Sequence, residues 1–316
     1  MDNLSIKKKL LSISIFLFFL LPIVLITIYH YRTATSNFDE MIKSRQEIVS
    51  YLSASLIGEK FNVLKEFTTS YSLSRELRNQ VIQKKWDGAI NIAGEIIKAH
   101  PDVERVAIID PKGTLMAGSP AIAEVIGNNF AYRDWYKEVI RTDNTYLSDI
   151  FKRKAKPTYN VILISAPIKD FENNLIGILT VQVRVSRMIG WAKDFKFGNG
   201  IVYFVDKKGQ VSGNPKYSEL DEIIPNFSND PIVKKVLQGK QGIEILNNSA
   251  KKDVQLITYS PIKGYGWGVI VQESITDAFK TRNKHLKTTV IFEAILMINN
   301  IILIWILLRK INLFDY

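Results

Sequence analysis

The sequence contains no cysteine in 316 residues and only three histidines, His30, His100 and His285, which lie far apart. The first absence excludes disulfides, thiolate metal sites and cysteine nucleophiles. The wide spacing of the histidines gives no set of metal ligands, and the G-x-S-x-G motif of serine hydrolases is missing. We therefore predict that the chain is not an enzyme and holds neither a metal ion nor a cofactor.

Acidic residues are outnumbered: 42 Lys+Arg stand against 31 Asp+Glu, for a formal net charge of +11. The basic residues are spread along the chain, with small clusters beside the apolar segments and at residues 152–154. We find no DNA- or RNA-binding signature in this distribution, so nucleic acid is not an expected partner. A basic balance is also typical of membrane proteins.

A first apolar run covers residues 10–30 and follows Lys7, Lys8 and Lys9. About 20 helical residues span a hydrocarbon core of roughly 30 Å. The three lysines place residues 1–9 in the cytoplasm by the positive-inside rule. A cleaved signal peptide is the alternative, but the run exceeds a usual h-region and no A-x-A cleavage site follows it. We expect an uncleaved transmembrane helix.

A second apolar run covers residues 288–308, after a juxtamembrane segment at 276–287. With two spans both ends of the chain must lie on one side, so the N-terminal lysines decide the orientation. We predict cytoplasmic tails at residues 1–9 and 309–316. The large middle of the chain then lies outside the cell membrane.

The middle begins with a predicted stalk helix, residues 31–80. No proline interrupts the chain from Arg32 to about Leu77, and apolar residues recur there at helical spacing. A second helix is predicted from Ile82 to Lys98. Such a stalk either packs on its own domain or pairs with a second copy, so a homodimer through the stalk and transmembrane helices is expected.

Two landmarks indicate that the middle is built twice. Asp110 and Asp206 each begin a hairpin turn with Gly three residues later, and they stand 96 residues apart. Pro167 and Pro261 each precede a similar β-like run and stand 94 residues apart. We therefore predict an α+β fold of two tandem antiparallel-sheet lobes, residues 81–190 and 191–275, with helices and loops on one side of each sheet. The first lobe carries a long insertion, roughly residues 117–158, of a length that often serves function.

Five short motifs in this region resemble the double-Cache (dCache) sensor domains of bacterial chemoreceptors, sensor histidine kinases and diguanylate cyclases. They are YRDWYKEV at 132–139, YLS at 146–148, ISAPIKD at 164–170, GIL at 177–179 and GIVYFVDKKG at 200–209. The resemblance covers nearly the whole chain between the two apolar runs. It implies PAS-like lobes, a bacterial cell (inner) membrane location, and a ligand pocket in the membrane-distal lobe, between its sheet and the insertion.

In the amino-acid-binding members of this family, the motif's Arg and Trp hold the ligand carboxylate, and these correspond to Arg133 and Trp135. The tyrosine of the following strand corresponds to Tyr146. A guanidinium grips a carboxylate with two parallel hydrogen bonds, and an indole N–H adds one donor. The alternative is that Arg133 is structural and pairs with a nearby carboxylate. Of the adjacent aromatic residues, we expect Tyr136 to lie in the core.

The sequence departs from those members at two positions. Asn128 stands where they have a tyrosine, and Gln182 stands where an aspartate holds the ligand ammonium. Glutamine accepts a hydrogen bond but offers no countercharge. Asp149 or Asp170 is a candidate to replace that charge. The expected ligand is therefore a small carboxylate-bearing molecule, an organic acid or an amino acid.

We predict a transmembrane signal-transduction sensor that passes ligand binding across the membrane. Only residues 309–316 follow the second apolar run, so no output domain lies within this sequence and a cytoplasmic or membrane signalling partner is expected. A truncated receptor and a stand-alone sensor both remain open. A membrane-tethered module for ligand capture or dimerisation, without signalling of its own, is the alternative function.

Overall fold

The computed structural model describes residues 2–193, 200–214, 217, 223–248 and 253–310. It divides into two compact units. Gln46–Ser274 form the central unit, and the two ends of the chain, up to Arg45 and from Ile275, form the terminal unit.

The helices, in chain order, are α1 (Asp2–Ser72), α2 (Arg75–Ile82), α3 (Trp86–Ala99), α4 (Asp134–Thr142), α5 (Val185–Lys193), α6 (Pro231–Leu237), α7 (Ile275–Ala278) and α8 (Lys280–Lys310). The strands are β1 (Val103–Ile109), β2 (Leu115–Ser119), β3 (Tyr146–Leu147), β4 (Phe151–Lys152), β5 (Asn160–Lys169), β6 (Leu175–Arg184), β7 (Ile201–Val205), β8 (Val211–Ser212), β9 (Gly242–Asn248), β10 (Asp253–Ile262) and β11 (Trp267–Ser274).

The terminal unit contains the apolar ends of α1 and α8, which are long and apolar enough to cross a membrane. Within this unit Nη1 of Arg282 lies 2.5 Å from Oδ1 of Asp39, and the ring of Phe38 stacks on His285 at 5.8 Å. Farther along, Nδ1 of His30 lies 3.6 Å from Oε1 of Glu293. The two helices therefore run antiparallel here, since numbers fall along α1 as they rise along α8.

The predicted stalk helix differs from the structure at its end. α1 stops at Ser72 rather than near Leu77, because Ser74 has extended backbone and its Oγ accepts a hydrogen bond from the Leu77 amide at 3.3 Å, which begins α2. The next predicted helix begins at Trp86 rather than Ile82. Lys84 adopts left-handed backbone (φ 54°) there and breaks the helical path.

The first lobe is a six-stranded antiparallel sheet in the order β2-β1-β6-β5-β3, with β4 also on β5. Successive side chains of a strand point to opposite faces. One face, which includes Val106 and Ile108 of β1, packs in a single core with α1, α2 and α3. Ala89, Ala93 and Ile96 form the buried face of α3, at the four- and three-residue spacing of a helix.

The opposite face of this sheet is covered by the predicted insertion. It contains a 3₁₀ turn (Ala123–Val125), α4, β3 and β4. Trp135 and Val139 of α4 are buried against Ala107, Ile109 and other apolar side chains of this face. We expected helices and loops on one side of the first sheet, but they lie on both sides. The reason is that the insertion folds back over the face that a simple hairpin connection would leave bare.

The second lobe repeats the strand order, as β8-β7-β11-β10-β9. Here α6 covers one face of the sheet with Ile232, Val233 and Val236. The fit is close, since a Cβ added to Gly268 of β11 would lie 2.5 Å from a Val236 methyl carbon. In this lobe the face equivalent to the inserted side of the first lobe is therefore filled by apolar packing.

The two hairpin turns match in detail, as the 96-residue repeat predicts. Oδ1 of Asp110 accepts hydrogen bonds from the amides of Lys112 and Thr114, and Oδ1 of Asp206 accepts them from Lys208 and Gln210. The glycine that closes each turn has positive φ, 90° in the first lobe and 75° in the second.

The lobes contact different stretches of α1. In the second lobe, the Thr258 hydroxyl donates to the Gln46 carbonyl at 3.2 Å, and the Tyr265 hydroxyl donates to Asn62 at 2.6 Å. In the first lobe, the hydroxyls of Thr145 and Thr69 lie 2.6 Å apart. The first lobe therefore also contacts the end of α1 that is more remote in sequence from the apolar run.

Candidate functional site

The inserted side of the first sheet contains a cavity of about 70 Å³, against roughly 10–15 Å³ for one buried water on this measure. Its floor is made by alternate residues of β1 and β6. Arg105 pairs with Gln182, and Ala107 pairs with Thr180, across the antiparallel ladder. The period of two therefore places a guanidinium, an amide and a hydroxyl on the same face as the apolar floor.

The walls come from the insertion. α4 and the segment before it supply Phe130, Arg133 and Trp135, and the segment around β4 supplies Phe151 and Arg153. Aromatic rings exclude water and strengthen polar contacts made inside a pocket. The cavity therefore combines apolar walls with convergent donors, which is the chemistry of a small-ligand site.

Arg133 stands at the N-cap position of α4 and is half-buried. Its guanidinium lies 4.8 Å from the ring centre of Phe151 and 5.2 Å from that of Tyr132. No ion pair in the part of the chain that the structure describes includes Arg133. The aromatic faces hold the guanidinium plane without using its N–H donors. This geometry favours a role in ligand binding over the structural alternative.

Trp135 is 4% exposed and lines the cavity. Tyr136, which we expected in the core, is only half-buried, and its hydroxyl donates to the Pro111 carbonyl at 2.7 Å. Successive helical residues point about 100° apart, so only one of the pair can face the sheet directly. Trp135 takes that direction, and Tyr136 ties α4 to the first hairpin turn.

Gln182, which corresponds to the family's aspartate, lines the floor and has an acidic neighbour. Its Nε2 donates to Oε2 of Glu104 at 3.2 Å, and Nη1 of Arg153 lies 3.5 Å from Oε1 of the same carboxylate. Arg153 also stacks on the ring of Tyr159 at 3.8 Å. These two contacts hold Arg153 at the cavity wall.

Arg105 was missed in the sequence analysis, although it lines the cavity and is only 8% exposed. Its Nε and Nη2 are buried and have no hydrogen-bond partner among the described residues. Burial lowers the pKa of this guanidinium, the charge of Arg153 lowers it further, and Glu104 raises it. A signal was available: Arg105 is the charged member of the alternating set 105, 107 and 109, whose other two members are apolar.

The other predicted site residues lie away from this cavity. The ring of Tyr146 packs against the apolar cluster that includes Trp135. Its hydroxyl accepts a hydrogen bond from Nζ of Lys207 in the second lobe at 3.2 Å. Oδ2 of Asp149 lies 3.7 Å from Nζ of Lys208. Both residues therefore lie where the two lobes meet.

Asp170 lies in the exposed turn between β5 and β6. Its carboxylate accepts hydrogen bonds from the amides of Glu172 and Asn174 and from the Asn174 side chain, and these contacts lower its pKa. Asn128 turns its amide to the Glu124 carbonyl. Neither residue lines the cavity, so the countercharge that we sought for a ligand ammonium does not come from Asp170.

Comparison with known proteins identifies the family. The family model described as "Cache domain" (dCache_1) matches residues 25–281. Methyl-accepting chemotaxis protein McpA of Bacillus subtilis is 25% identical over 228 residues, which are 69% of this chain and 32% of McpA. A probable methyl-accepting chemotaxis protein of Bacillus thuringiensis is 25% identical over 283 residues, 87% of this chain and 40% of that protein. The chain thus spans less than half the length of these relatives.

Solved structures show the same fold at low identity. The periplasmic sensory domain of Campylobacter jejuni chemoreceptor Tlp1 has a TM-score of 0.59 at 13% identity and covers 77% of this chain and 98% of its own. The ligand-binding domain of Pseudomonas fluorescens chemoreceptor CtaA with L-isoleucine has a TM-score of 0.58 at 13% identity, over 79% and 98%. The ligand-binding domain of Pseudomonas aeruginosa PctB with L-Gln has a TM-score of 0.57 at 13% identity, and the match covers 74% of this chain and 91% of that domain. Together with the family match, these findings show that the chain belongs to the double-Cache (dCache) family of sensor domains.

Proposed function

We propose that the chain is the sensor part of a transmembrane receptor and that it binds a small carboxylate-bearing ligand, an organic acid or an amino acid, in the first lobe. The observation that carries this proposal is the cavity, where Arg133 has no ion-pair partner among the described residues and Trp135 closes an apolar wall. Chemotaxis proteins among the relatives and the amino acids bound by CtaA and PctB support a sensory role.

The proposed topology follows from the two candidate membrane helices. Residues 10–30 and 288–308 cross a bacterial cell membrane, both termini are cytoplasmic, and both lobes lie outside. The antiparallel contact of α1 with α8 in the terminal unit supports ends on one side. The first lobe, which contacts the later part of α1, is then the membrane-distal lobe, and the second lobe is the membrane-proximal one.

The absence of cysteine makes this topology simple to test. Single cysteines at Phe171, an exposed loop residue, and at Asn3 should react differently with a membrane-impermeant maleimide applied to intact cells. We expect labelling of Phe171→Cys only. Labelling of Asn3→Cys in intact cells would contradict the topology.

Ligand binding is tested by thermal unfolding of the full chain in detergent micelles with amino acids, organic acids, polyamines and purines. A ligand at about 100 times its Kd stabilises a folded protein by about 3 kcal/mol, a shift of several degrees. We expect a carboxylate to shift the midpoint and Arg133→Ala to abolish the shift. If no compound in the panel shifts the wild-type midpoint, the proposed binding function is wrong.

Pairing of two copies through α1 is part of the proposal. Ile48, Tyr51 and Leu52 are exposed apolar residues at three- and four-residue helical spacing. Ile48→Glu should reduce the mass measured by light scattering from dimer to monomer. Glu40→Gln, a change at another surface position of α1, is the control and should leave the mass unchanged.

Signalling and mere capture differ in what ligand does to the paired helices. In a sensor, ligand shifts a two-state arrangement of α1, so the disulfide yield of Ile48→Cys should change when ligand is added. In a capture or dimerisation module, ligand binds while that yield stays constant. The measurement therefore separates the two functions on one variant.

A further inference from the structure

The charged side chains that line the cavity are all of one sign. Four cationic residues line it, Arg105, Arg133, Arg153 and Lys154, and none of the described lining residues is acidic. The carboxylate of Glu104 is not part of the lining and is shared between Arg153 and the amide of Gln182. At least two of the guanidiniums, those of Arg105 and Arg133, therefore have no carboxylate within 4.0 Å among the described residues.

Arg105 differs from a surface arginine because it is buried. Nε and Nη2, its two unpartnered atoms, share one edge of the guanidinium, and that edge lies buried against Gly118 of the neighbouring strand β2. A buried cation that lacks an anionic partner is costly, so a partner supplied by the ligand would remove that cost. A ligand carboxylate in the cavity is therefore the anionic partner that Arg105 lacks among the described residues.

The sheet makes room for this guanidinium. A Cβ on Gly118, in the neighbouring strand β2, would lie 2.5 Å from Nη2 of Arg105. Any side chain at this position would displace Nη2, so Gly118 permits the position that the guanidinium takes. Arg105 is therefore placed at the floor by its strand neighbour as well as by its own rotamer.

We propose that the cavity selects a small dicarboxylate, with Arg105 binding one carboxylate and Arg133 the other. This inference rests on the proposed function and names the ligand class of the same site. The second carboxylate of such a ligand would pair with the guanidinium that a monocarboxylate leaves without an anionic partner. An α-amino acid would instead bring an ammonium group among four cations, with Gln182 offering only an amide.

The test compares ligands of one chain length on the wild-type full chain in detergent micelles, by isothermal titration calorimetry. Succinate carries two carboxylates, butyrate carries one, and 4-aminobutyrate replaces the second carboxylate with ammonium. Loss of a charge-assisted contact lowers affinity by about 10-fold or more, so we expect succinate to bind at least ~10-fold tighter than either analogue. L-Glutamine and L-isoleucine are included as α-amino acids.

The outcomes separate this inference from the proposed function. If an α-amino acid binds tighter than succinate, the cavity is a sensor site and the dicarboxylate inference is wrong. If butyrate binds as well as succinate, the second carboxylate has no partner and the inference is again wrong. If none of these compounds nor the wider panel binds, the proposed binding function itself fails.

Variants locate the second carboxylate. Arg105→Gln should reduce succinate affinity to that of butyrate while leaving butyrate affinity within about threefold. A larger loss of butyrate affinity would mean that the single carboxylate of butyrate binds Arg105 rather than Arg133. Gly118→Ala should weaken succinate in the same way by moving the guanidinium. Arg187→Gln, outside the cavity lining, is the control. If Arg105→Gln keeps the wild-type preference for succinate, Arg105 does not bind the ligand and the inference is overturned.

Discussion

The backbone amide of Ile150 donates a hydrogen bond to Oδ2 of Asp206 at 2.9 Å, and this contact joins the insertion of the first lobe to the hairpin turn of the second. Oδ1 of the same carboxylate accepts from the amides of Lys208 and Gln210, both at 2.9 Å. Asp206 is fully buried. One carboxylate thus closes its own turn and holds the segment that forms one wall of the first-lobe cavity.

The pH dependence of stability should report on Asp206. The pKa of its carboxyl is raised from 3.8 to about 6: burial is the largest cause, the charge of Asp149 adds to it, and the N–H donors oppose both. The unfolded chain then loses this proton from about pH 4, whereas the folded chain keeps it to about pH 6. As the pH rises through this window, the group therefore lowers the free energy of unfolding, by about 2–3 kcal/mol in all.

Asp206→Asn removes the titration and is the variant to compare. An amide nitrogen facing the Ile150 or Lys208 donors costs about 1–3 kcal/mol, so the variant should unfold at a lower temperature. Its deficit should shrink as the pH rises from about 4 to about 7. Asp110→Asn changes the matching turn of the first lobe and serves as the control. Parallel pH curves for wild type and Asp206→Asn would contradict the assignment.

Arg133 should affect binding without affecting stability. Arg133→Gln removes a half-buried cation that has no ion-pair partner among the described residues, so the unfolding midpoint should change little, within about 0.5 kcal/mol. Affinity for a carboxylate ligand should fall about 10- to 100-fold. Arg141 on the same helix pairs with Glu138 at 2.6 Å and is exposed, so Arg141→Gln is the matched control. Equal losses of affinity in the two variants would indicate long-range electrostatics instead.

Several features of this molecule could be predicted because residues close together in sequence determine them. The Asp110 and Asp206 turns depend on one carboxylate, two nearby amides and a glycine, all within five residues. Gln182 was predicted at the site by its match to the family motif. The two-lobed architecture follows from those repeats.

Other features depend on contacts between distant residues. Asp170 looked free to serve a ligand, but its own turn uses both carboxylate oxygens. Asp149 and Tyr146 lie near the site in sequence, yet the second lobe approaches them with Lys208 and Lys207. Which charged groups face a cavity depends on how the insertion folds over the sheet, and local periodicity does not determine that path.

A larger side chain at Ala107 should fill the cavity and so show whether a ligand binds there. It lies on the cavity floor, so Ala107→Leu should cost less than about 1 kcal/mol in stability while blocking ligand binding. Ala89 is fully buried against the other face of the same sheet, where Ala89→Leu should cost about 1–3 kcal/mol through overpacking. Ligand titrations and unfolding midpoints of both variants decide the matter. Retained binding in Ala107→Leu would show that the ligand lies elsewhere.

Gly209 and Gly239 separate backbone strain from steric overlap. Both have positive φ, 75° and 81°, which costs a non-glycine residue about 1 kcal/mol or more. A Cβ on Gly209 would also lie 2.7 Å from the backbone of Ser228, whereas a Cβ on Gly239 meets no heavy atom within 4 Å. Gly209→Ala should therefore destabilise the chain by about 2–4 kcal/mol and Gly239→Ala by about 1 kcal/mol. Equal unfolding midpoints for the two variants would mean that the second-lobe turn shifts to remove the overlap with Ser228 at no measurable cost.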